Sequence, residues 1–354
     1  MKQRLATLGD VAKEANVSQQ TVSRVLNTPD RVSPRTRTKV MKAMNGLNYV
    51  PNRSAQLLAG KMLPALGLIT ASLQFHAPSQ IASAVKSHAA AVGFQVTIAM
   101  LQASDKDTLQ AALNEFRAQR VGGVIVSMPV EAEVAEQLVA DNADIHCLFL
   151  DVPPESRVSH LGFDHRDGTR LSVSHLFALG HRHFALLAGP ENAISARLRL
   201  QSWREALLHF NITHVPVAHG DWSAHQGWEK TLELFRANPE ISAVLVANDQ
   251  MALGVLSALN QLNRKVPETV SVIGYDDTPD SQYFQPALTT VAQDFDLLGR
   301  QAVSALIEMT ERPEKPLLEL LPTQLKIRQS TAKFSETPGR ELLITQLKTL
   351  VQQL

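Results

Sequence analysis

The chain has 354 residues, with 34 Lys or Arg balanced by 34 Asp or Glu and a single cysteine. One cysteine excludes a disulfide framework, and no apolar run reaches the about 20 residues needed to cross a bilayer. Zero net charge would also exclude a nucleic-acid binder, were the charge evenly spread. Residues 1–61, however, hold eleven basic side chains against Asp10, Glu14 and Asp30, a net of +8, leaving −8 on the remainder. A basic head on an acidic body is the electrostatic footprint of a chain that touches phosphates with one end.

The first predicted elements are two short helices around a tight turn, within residues 7–27. Thr7 caps the first, and Asp10 completes a capping-box-like pair. Val11, Ala12 and Ala15 give it an apolar stripe, Asn16-Val17 turns the chain, and Ser18 caps a second helix whose Val22, Val25 and Leu26 face inward. Gln19, Gln20, Thr21, Ser23 and Arg24 are left outward, side chains able to read base edges in a major groove. A plain helical hairpin would share the apolar pattern without needing that polar face. Ser33-Pro34 starts a third helix, with Val40, Met41, Met44 and Leu47 turned toward the first two and Gly46 and Asn48 at its stop. Residues 1–50 thus read as an all-α helix-turn-helix headpiece. Residues 51–62 follow, helical in pattern but too short to stand alone. They are a plain linker or a hinge helix that folds on DNA.

From residue 65 short apolar strands alternate with amphipathic helices. Strands are expected at 66–72, 95–101, 123–127, 147–152, 183–188, 243–247 and 270–274, and helices at 81–92, 108–119 and 166–178 among others. This βα alternation implies parallel sheets covered on both sides, with enough units for two doubly wound α/β subdomains. Cys147 lies in an apolar run and reads as a buried, inert thiol. Beyond Thr331 the chain turns polar, with Pro338-Gly339 as a breaker. In 340–354, Leu343, Leu347, Leu350 and Leu354 form a heptad seam about two heptads long. The seam suits a short coiled-coil helix joining subunits.

Ligands of such sheets bind beyond the carboxyl ends of the strands. Asp151, Asn248-Asp249 and Asp276-Asp277 sit at those ends, with Arg197, Arg199, Asp221 and Trp222 close behind strands. Carboxylates, an amide, a guanidinium and an indole together suit a sugar: vicinal hydroxyls take paired hydrogen bonds, and the indole covers a ring face. Singly, Asp249 reads better as a helix N-cap, Asp277 as a turn cap and the Trp as core. Two carboxylates also admit a glycosidase, but that leaves the basic head without a purpose. His165, His181 and His183 lack ligand spacing for a metal, and no glycine-rich phosphate loop is present. No catalytic residue, metal or cofactor is expected.

These residues resemble the LacI/GalR family of bacterial repressors, nearly end to end and closest to its lactose-responsive members. The resemblance is carried by the head and by HAPSQI at 76–81, FLDV at 149–152, SARLRL at 195–200, GDWSA at 220–224, LVANDQMALG at 245–254, GYDD at 274–277 and QDF at 293–295. It implies a cytoplasmic homotetramer, a dimer of dimers, that represses lactose genes on operator DNA and is released by a β-galactoside inducer. It implies a periplasmic-binding-protein-like core over 63–331, one lobe from 63–163 and 293–322 and the other from 164–292 and 323–331. A linker at 332–339 and a tetramerisation helix at 340–354 would follow.

Asp151, Arg199, Asn248 and Asp276 would bind hydroxyls, Trp222 would stack, and Phe75, Pro78, Ile81, Phe163 and Phe295 would form the apolar wall. Thr7, Leu8, Ser18, Gln19, Gln20, Thr21, Ser23, Arg24, Asn27, Arg31 and Ser33 would meet DNA. The hinge would add Asn52, Ala55 and Leu58, with Leu58 as a minor-groove wedge. Departures from the lactose-responsive pattern are Gln19 for Tyr, Arg31 for His, Ala71 for Ser, Phe75 for Leu and Ser127 for Asn. The competing readings are a family member answering another sugar and a periplasmic solute-binding protein. The basic head and the lack of a signal segment speak against the second.

Overall fold

Three capped helices make up the head in the computed structural model, which describes residues 6–50, 64–311, 316–335 and 351. The hinge residues Asn52, Ala55 and Leu58, and the seam residues Leu343, Leu347, Leu350 and Leu354, lie outside the described residues. The side chain of Asn27 does too. The chain divides into two compact units, within residues 1–63 and 64–354.

In the first unit α1 spans Leu8–Glu14, α2 Gln19–Asn27 and α3 Pro34–Gly46. The capping box forms as expected: Asp10 N–H donates to Thr7 Oγ1 at 3.2 Å, and Thr7 N–H donates to the Asp10 carboxylate at 2.8 Å. Ser18 and Ser33 hydroxyls accept from Thr21 N–H at 3.1 Å and Thr36 N–H at 3.3 Å. Each cap satisfies a helix-end donor that would otherwise lack a partner. Asn16 takes φ 50 between α1 and α2, the left-handed turn that Asn tolerates. Val11, Ala12, Ala15, Val22, Val25, Val40, Ala43 and Met44 form the core. Met41 corrects the sequence reading: it is 45% exposed. From Val40 the buried face of a 3.6-residue helix runs through 43, 44 and 47, and position 41 is turned away.

In the second unit the strands are β1 Ala65–Thr70, β2 Gln95–Met100, β3 Gly123–Ser127, β4 His146–Phe149, β5 His160–Phe163, β6 Phe184–Ala188, β7 Val217–His219, β8 Ala243–Val246, β9 Ser271–Asp276, β10 Thr289–Ala292, β11 Leu318–Leu321 and β12 Gln324–Lys326. They form two six-stranded sheets, ordered β11-β5-β4-β3-β1-β2 and β12-β10-β9-β8-β6-β7. All pairings are parallel except the edge strand β12, which runs antiparallel to β10. The helices are α4 His76–Ala91, α5 Lys106–Ala118, α6 Ala132–Asp141, α7 His165–Ala178, α8 Ile194–His209, α9 Ala224–Ala237, α10 Asp249–Gln261 and α11 Phe295–Glu311. None of the described helices is long and apolar enough to cross a membrane.

Burial on both faces explains the unbroken apolar strands. Val124 and Val126 of β3 pack with Leu109, Leu113 and Phe116 of α5, while Ile125 packs with α4 and α11 through Val85, Ala302 and Leu306. Four strands escaped the sequence reading: β5, β10, β11 and β12. They are three or four residues long, too short for a period to declare itself. Strand β9 runs two residues beyond the expected 274, which carries Asp276 to its carboxyl tip.

The chain passes from the first sheet to the second after Phe163, returns after Ala292, and passes over again between Leu321 and Gln324. Two of these passages are tied together. Asp164 N–H donates to the Leu321 carbonyl at 2.7 Å. Thr323 Oγ1 donates to the Asp164 carbonyl and accepts from Gly168 N–H, both at 3.0 Å. Two of the three expected non-ligand histidines are buried and partnered, His165 on the Tyr275 hydroxyl and His181 on Ser242 and the Ala332 carbonyl. Cys147 is buried, and burial pushes its thiol up to about 12.

Candidate functional site

In each sheet two neighbouring strands send their connections to opposite sides, β1 against β3 and β6 against β8. Crevices at such reversals are where open α/β sheets place ligands. A cavity of about 260 Å³ lies beside both reversals. Its polar lining includes Asp151 after β4, Arg199 on α8, Trp222 after β7, Asn248 after β8 and Asp276 at the tip of β9, with His76, Asn192, Gln250 and Gln293 beside them. Its apolar lining includes Phe75, Pro78, Ile81, Phe163 and Phe295. All ten side chains singled out in the sequence for a sugar therefore meet in one cavity, joined by Ala71 and Ser127.

Arg199 is the centre of the polar side and only 5% exposed. Its Nη2 donates to Gln293 Oε1 at 2.9 Å and its Nη1 donates to the Ala247 carbonyl. The guanidinium lies 3.8 Å from the Tyr275 ring centre, a cation–π contact that holds its plane. Asp276 Oδ1 is 3.7 Å from Nη1. Arg199 Nε and Asp276 Oδ1 are buried without a hydrogen-bond partner among the described residues. Buried polar atoms are nearly always satisfied, so these two mark the Arg199–Asp276 pair, which lines the cavity, as incompletely satisfied within the fold.

Backbone strain marks the same wall. Trp222 takes φ 76 and Asp276 φ 111, the first a positive value that Trp rarely adopts and the second well beyond the usual left-handed well. Such residues cost on the order of 1–3 kcal/mol each and persist where surrounding structure over-determines them. Asn248 helps to do so: its Nδ2 donates to the Trp222 carbonyl at 3.0 Å, while its Oδ1 caps α10 through Met251 N–H at 2.9 Å. That arrangement leaves one Nδ2 hydrogen of this cavity-lining residue free to donate. A Cβ at Gly189 would sit 2.4 Å from the Trp222 ring, so glycine at the end of β6 is what lets the indole lie there.

The other polar residues at strand ends have structural work elsewhere. Asn248, not Asp249, is the cap of α10; Asp249 is buried and accepts from Thr290 Oγ1 at 2.6 Å and Thr278 N–H at 2.8 Å. Asp277 pairs with Arg328 at 2.5 Å rather than capping a turn. Asp221 accepts from Ser223 and Arg197 pairs with Glu131 at 2.8 Å. Sequence reasoning missed Gln293 and Tyr275 as partners of Arg199, and the Ser195 N–H that donates to Asp151 at 3.1 Å. Their signal lay in the runs at 293–295, 274–277 and 195–200, but the Ala247 carbonyl and Ser195 amide are backbone groups with no side-chain signature.

Burial pushes the Asp276 carboxyl up to about 8, against the pull of Arg199 and helped by Asp249. Asp249 itself is pushed up to about 7 by burial, opposed by its bonds from Thr290 and Thr278. Asp151 reaches about 6 by burial, against Arg199 and the Ser195 amide. A carboxyl raised in the fold stabilises it fully below the unfolded value and loses that contribution as pH rises through the folded value. These three carboxyls should therefore withdraw stability from the ligand-free protein as pH climbs from about 4 toward their raised values, opposite in sign to His165 and His181, which burial lowers. Asp276→Asn should flatten the decline, most clearly from about pH 6 upward. Thermal melts across pH for parent and variant check this; equal slopes would contradict it.

In the head, Gln19, Gln20 and Arg24 are exposed along one side of α2, and Thr7, Ser18, Arg31 and Ser33 are exposed around the helix starts. Thr21 and Ser23 are half-buried, and Thr21 shares a 2.9 Å hydroxyl bond with Ser18. Leu8 is half-buried, packed on the head core.

Residues 7–52 match the sequence pattern of bacterial regulatory proteins of the lacI family, and residues 173–331 that of the periplasmic binding protein-like domain. The chain is 58% identical to the lactose operon repressor of Klebsiella pneumoniae over 354 residues, all of both chains. It is 43% identical to the lactose operon repressor of Escherichia coli (strain K12), over 98% of this chain and 97% of that one. The crystal structure of the lac repressor dimer bound to operator and the anti-inducer ONPF superposes with a TM-score of 0.87 at 44% identity. It covers 93% of this chain and 100% of that one.

Proposed function

The chain belongs to the lacI family of bacterial regulatory proteins, and from that premise we propose that it represses a lactose operon until a β-galactoside releases it from operator DNA. The observation that carries the sugar half is one cavity that brings together a polar set, Asp151, Arg199, Asn248 and Asp276, and an apolar set that includes Phe75, Phe163 and Phe295. A pyranose supplies hydroxyls for the first and an apolar ring face for the second. Arg199, Asp276, Asp151 and the remaining Asn248 hydrogen take the hydroxyls. Trp222 covers the ring, and Phe75, Pro78, Ile81, Phe163 and Phe295 exclude water. The carboxylates bind rather than catalyse, so the protein is a regulator and not an enzyme, working in the cytoplasm where its DNA is.

The DNA half rests on α2, whose Gln19, Gln20 and Arg24 enter the major groove. Thr7, Ser18, Thr21, Ser23, Asn27, Arg31 and Ser33 position the head on phosphates and neighbouring bases. Residues 51–62 act as the hinge, folding on DNA beside the hinge of a second subunit and placing Leu58 as a wedge in the minor groove. Residues 340–354 join two dimers into a tetramer through the leucine seam. The cavity walls come from both lobes of the core, 63–163 with 293–322 and 164–292 with 323–331. Sugar between the lobes favours an arrangement in which paired hinges cannot fold side by side. The two ligands are thus linked through one equilibrium. Fluorescence anisotropy of a labelled operator duplex, titrated with a β-galactoside and with a β-glucoside, tests the reading. Release by the galactoside alone is expected; release by the glucoside alone would favour a repressor answering another sugar.

A further inference from the structure

Gly9 sits inside α1 with an ordinary helical backbone, since its φ is not among the positive ones. Glycine is the poorest helix former after proline, and no turn or positive φ calls for one at this second position of α1. Space supplies the reason: a Cβ at Gly9 would lie 3.0 Å from Nε2 and 3.8 Å from Cδ of Gln19, and its other near neighbour, Thr7 Oγ1, is at an ordinary 3.6 Å. Gln19 is the first residue of α2, exposed, and its amide has no hydrogen bond to any described residue. The amide therefore lies over the bare backbone of Gly9, where a Cβ would push it aside by a few tenths of an ångström.

We propose that Gly9 is a positioning residue for base reading: the gap it leaves sets where the Gln19 amide is held, and so which base edge that amide meets. This rests on the DNA-reading role of α2 proposed above. A glutamine amide pairs its donor and acceptor with adenine N7 and N6 when presented edge-on, and a displacement of a few tenths of an ångström alters that geometry. Gly9 touches no base itself; it acts through Gln19.

The test is selection of bound duplexes from a randomised library by the full-length protein, its Gly9→Ala and Gln19→Ala variants, and the double variant. Gln19→Ala should relax preference at one base pair by about tenfold or more. Gly9→Ala should change preference at that same base pair and leave the others alone, and should do nothing further in the Gln19→Ala background. The salt dependence of non-specific binding, β-galactoside affinity and the melting of the head should be unchanged, or melting slightly raised, because the crowded atoms are the free end of a flexible side chain. Unchanged base preference in Gly9→Ala, or loss of folding, would overturn the proposal. If Gln19→Ala also leaves every preference intact, the failure belongs to the DNA-reading role of Gln19 instead.

Discussion

Arg199→Ala should weaken β-galactoside binding by at least about 100-fold while leaving operator affinity within about twofold, producing a repressor that sugar no longer releases. Arg199 is held by Gln293, the Ala247 carbonyl and the Tyr275 ring, so its fork is oriented before any ligand arrives. Its loss removes both a donor set and the charge opposite Asp276. Truncating one member of a buried charge pair costs about 3–5 kcal/mol, because the other is left uncompensated. Burial already raises the Asp276 carboxyl to about 8, so near neutral pH it meets the loss of Arg199 largely as the uncharged acid, and the cost to the fold is smaller than that. Arg199→Lys should restore charge but not binding, because an ammonium cannot reproduce the planar fork. Calorimetry with a β-galactoside and anisotropy with an operator duplex separate the two affinities; wild-type sugar affinity in Arg199→Ala would remove Arg199 from the site.

Arg24→Ala should have the opposite selectivity. Arg24 is exposed on the same side of α2 as Gln20 and lies in the last turn of the helix. A paired contact from arginine to guanine is worth about 1–3 kcal/mol, so operator affinity should fall roughly 10- to 100-fold. Sugar affinity should stay at its parental value, because the cavity is built wholly from residues beyond 64. Loss of sugar binding in this variant would mean that head and core do not act as separate modules.

How far the site was legible depends on what kind of group builds it. Side chains that make sugar chemistry, such as Asp151, Arg199 and Asp276, announce themselves by type and by their place after strands. The groups that hold them do not. The Ala247 carbonyl and Ser195 amide belong to the backbone, and Gln293 reaches Arg199 across 94 positions of sequence. Neighbouring Asn248 and Asp249 show the same limit. Both can cap a helix, and only packing assigns the cap to Asn248 and buries Asp249 against Thr290. In the head, local rules sufficed: the caps at Thr7, Ser18 and Ser33 depend on residues three positions away. Met41 failed because an apolar residue one position off the buried stripe carries no mark of its direction. Gly9 was passed over for a related reason, since its role is visible only once α2 lies against α1.

Linkage between the sugar cavity and the DNA-reading head is the centre of this account. β-Galactoside affinity measured by calorimetry, with the protein free and saturated with operator duplex, tests it most directly. Operator should weaken sugar binding by the same factor by which sugar weakens operator binding, as reciprocity demands. Equal sugar affinity in the two titrations would contradict it.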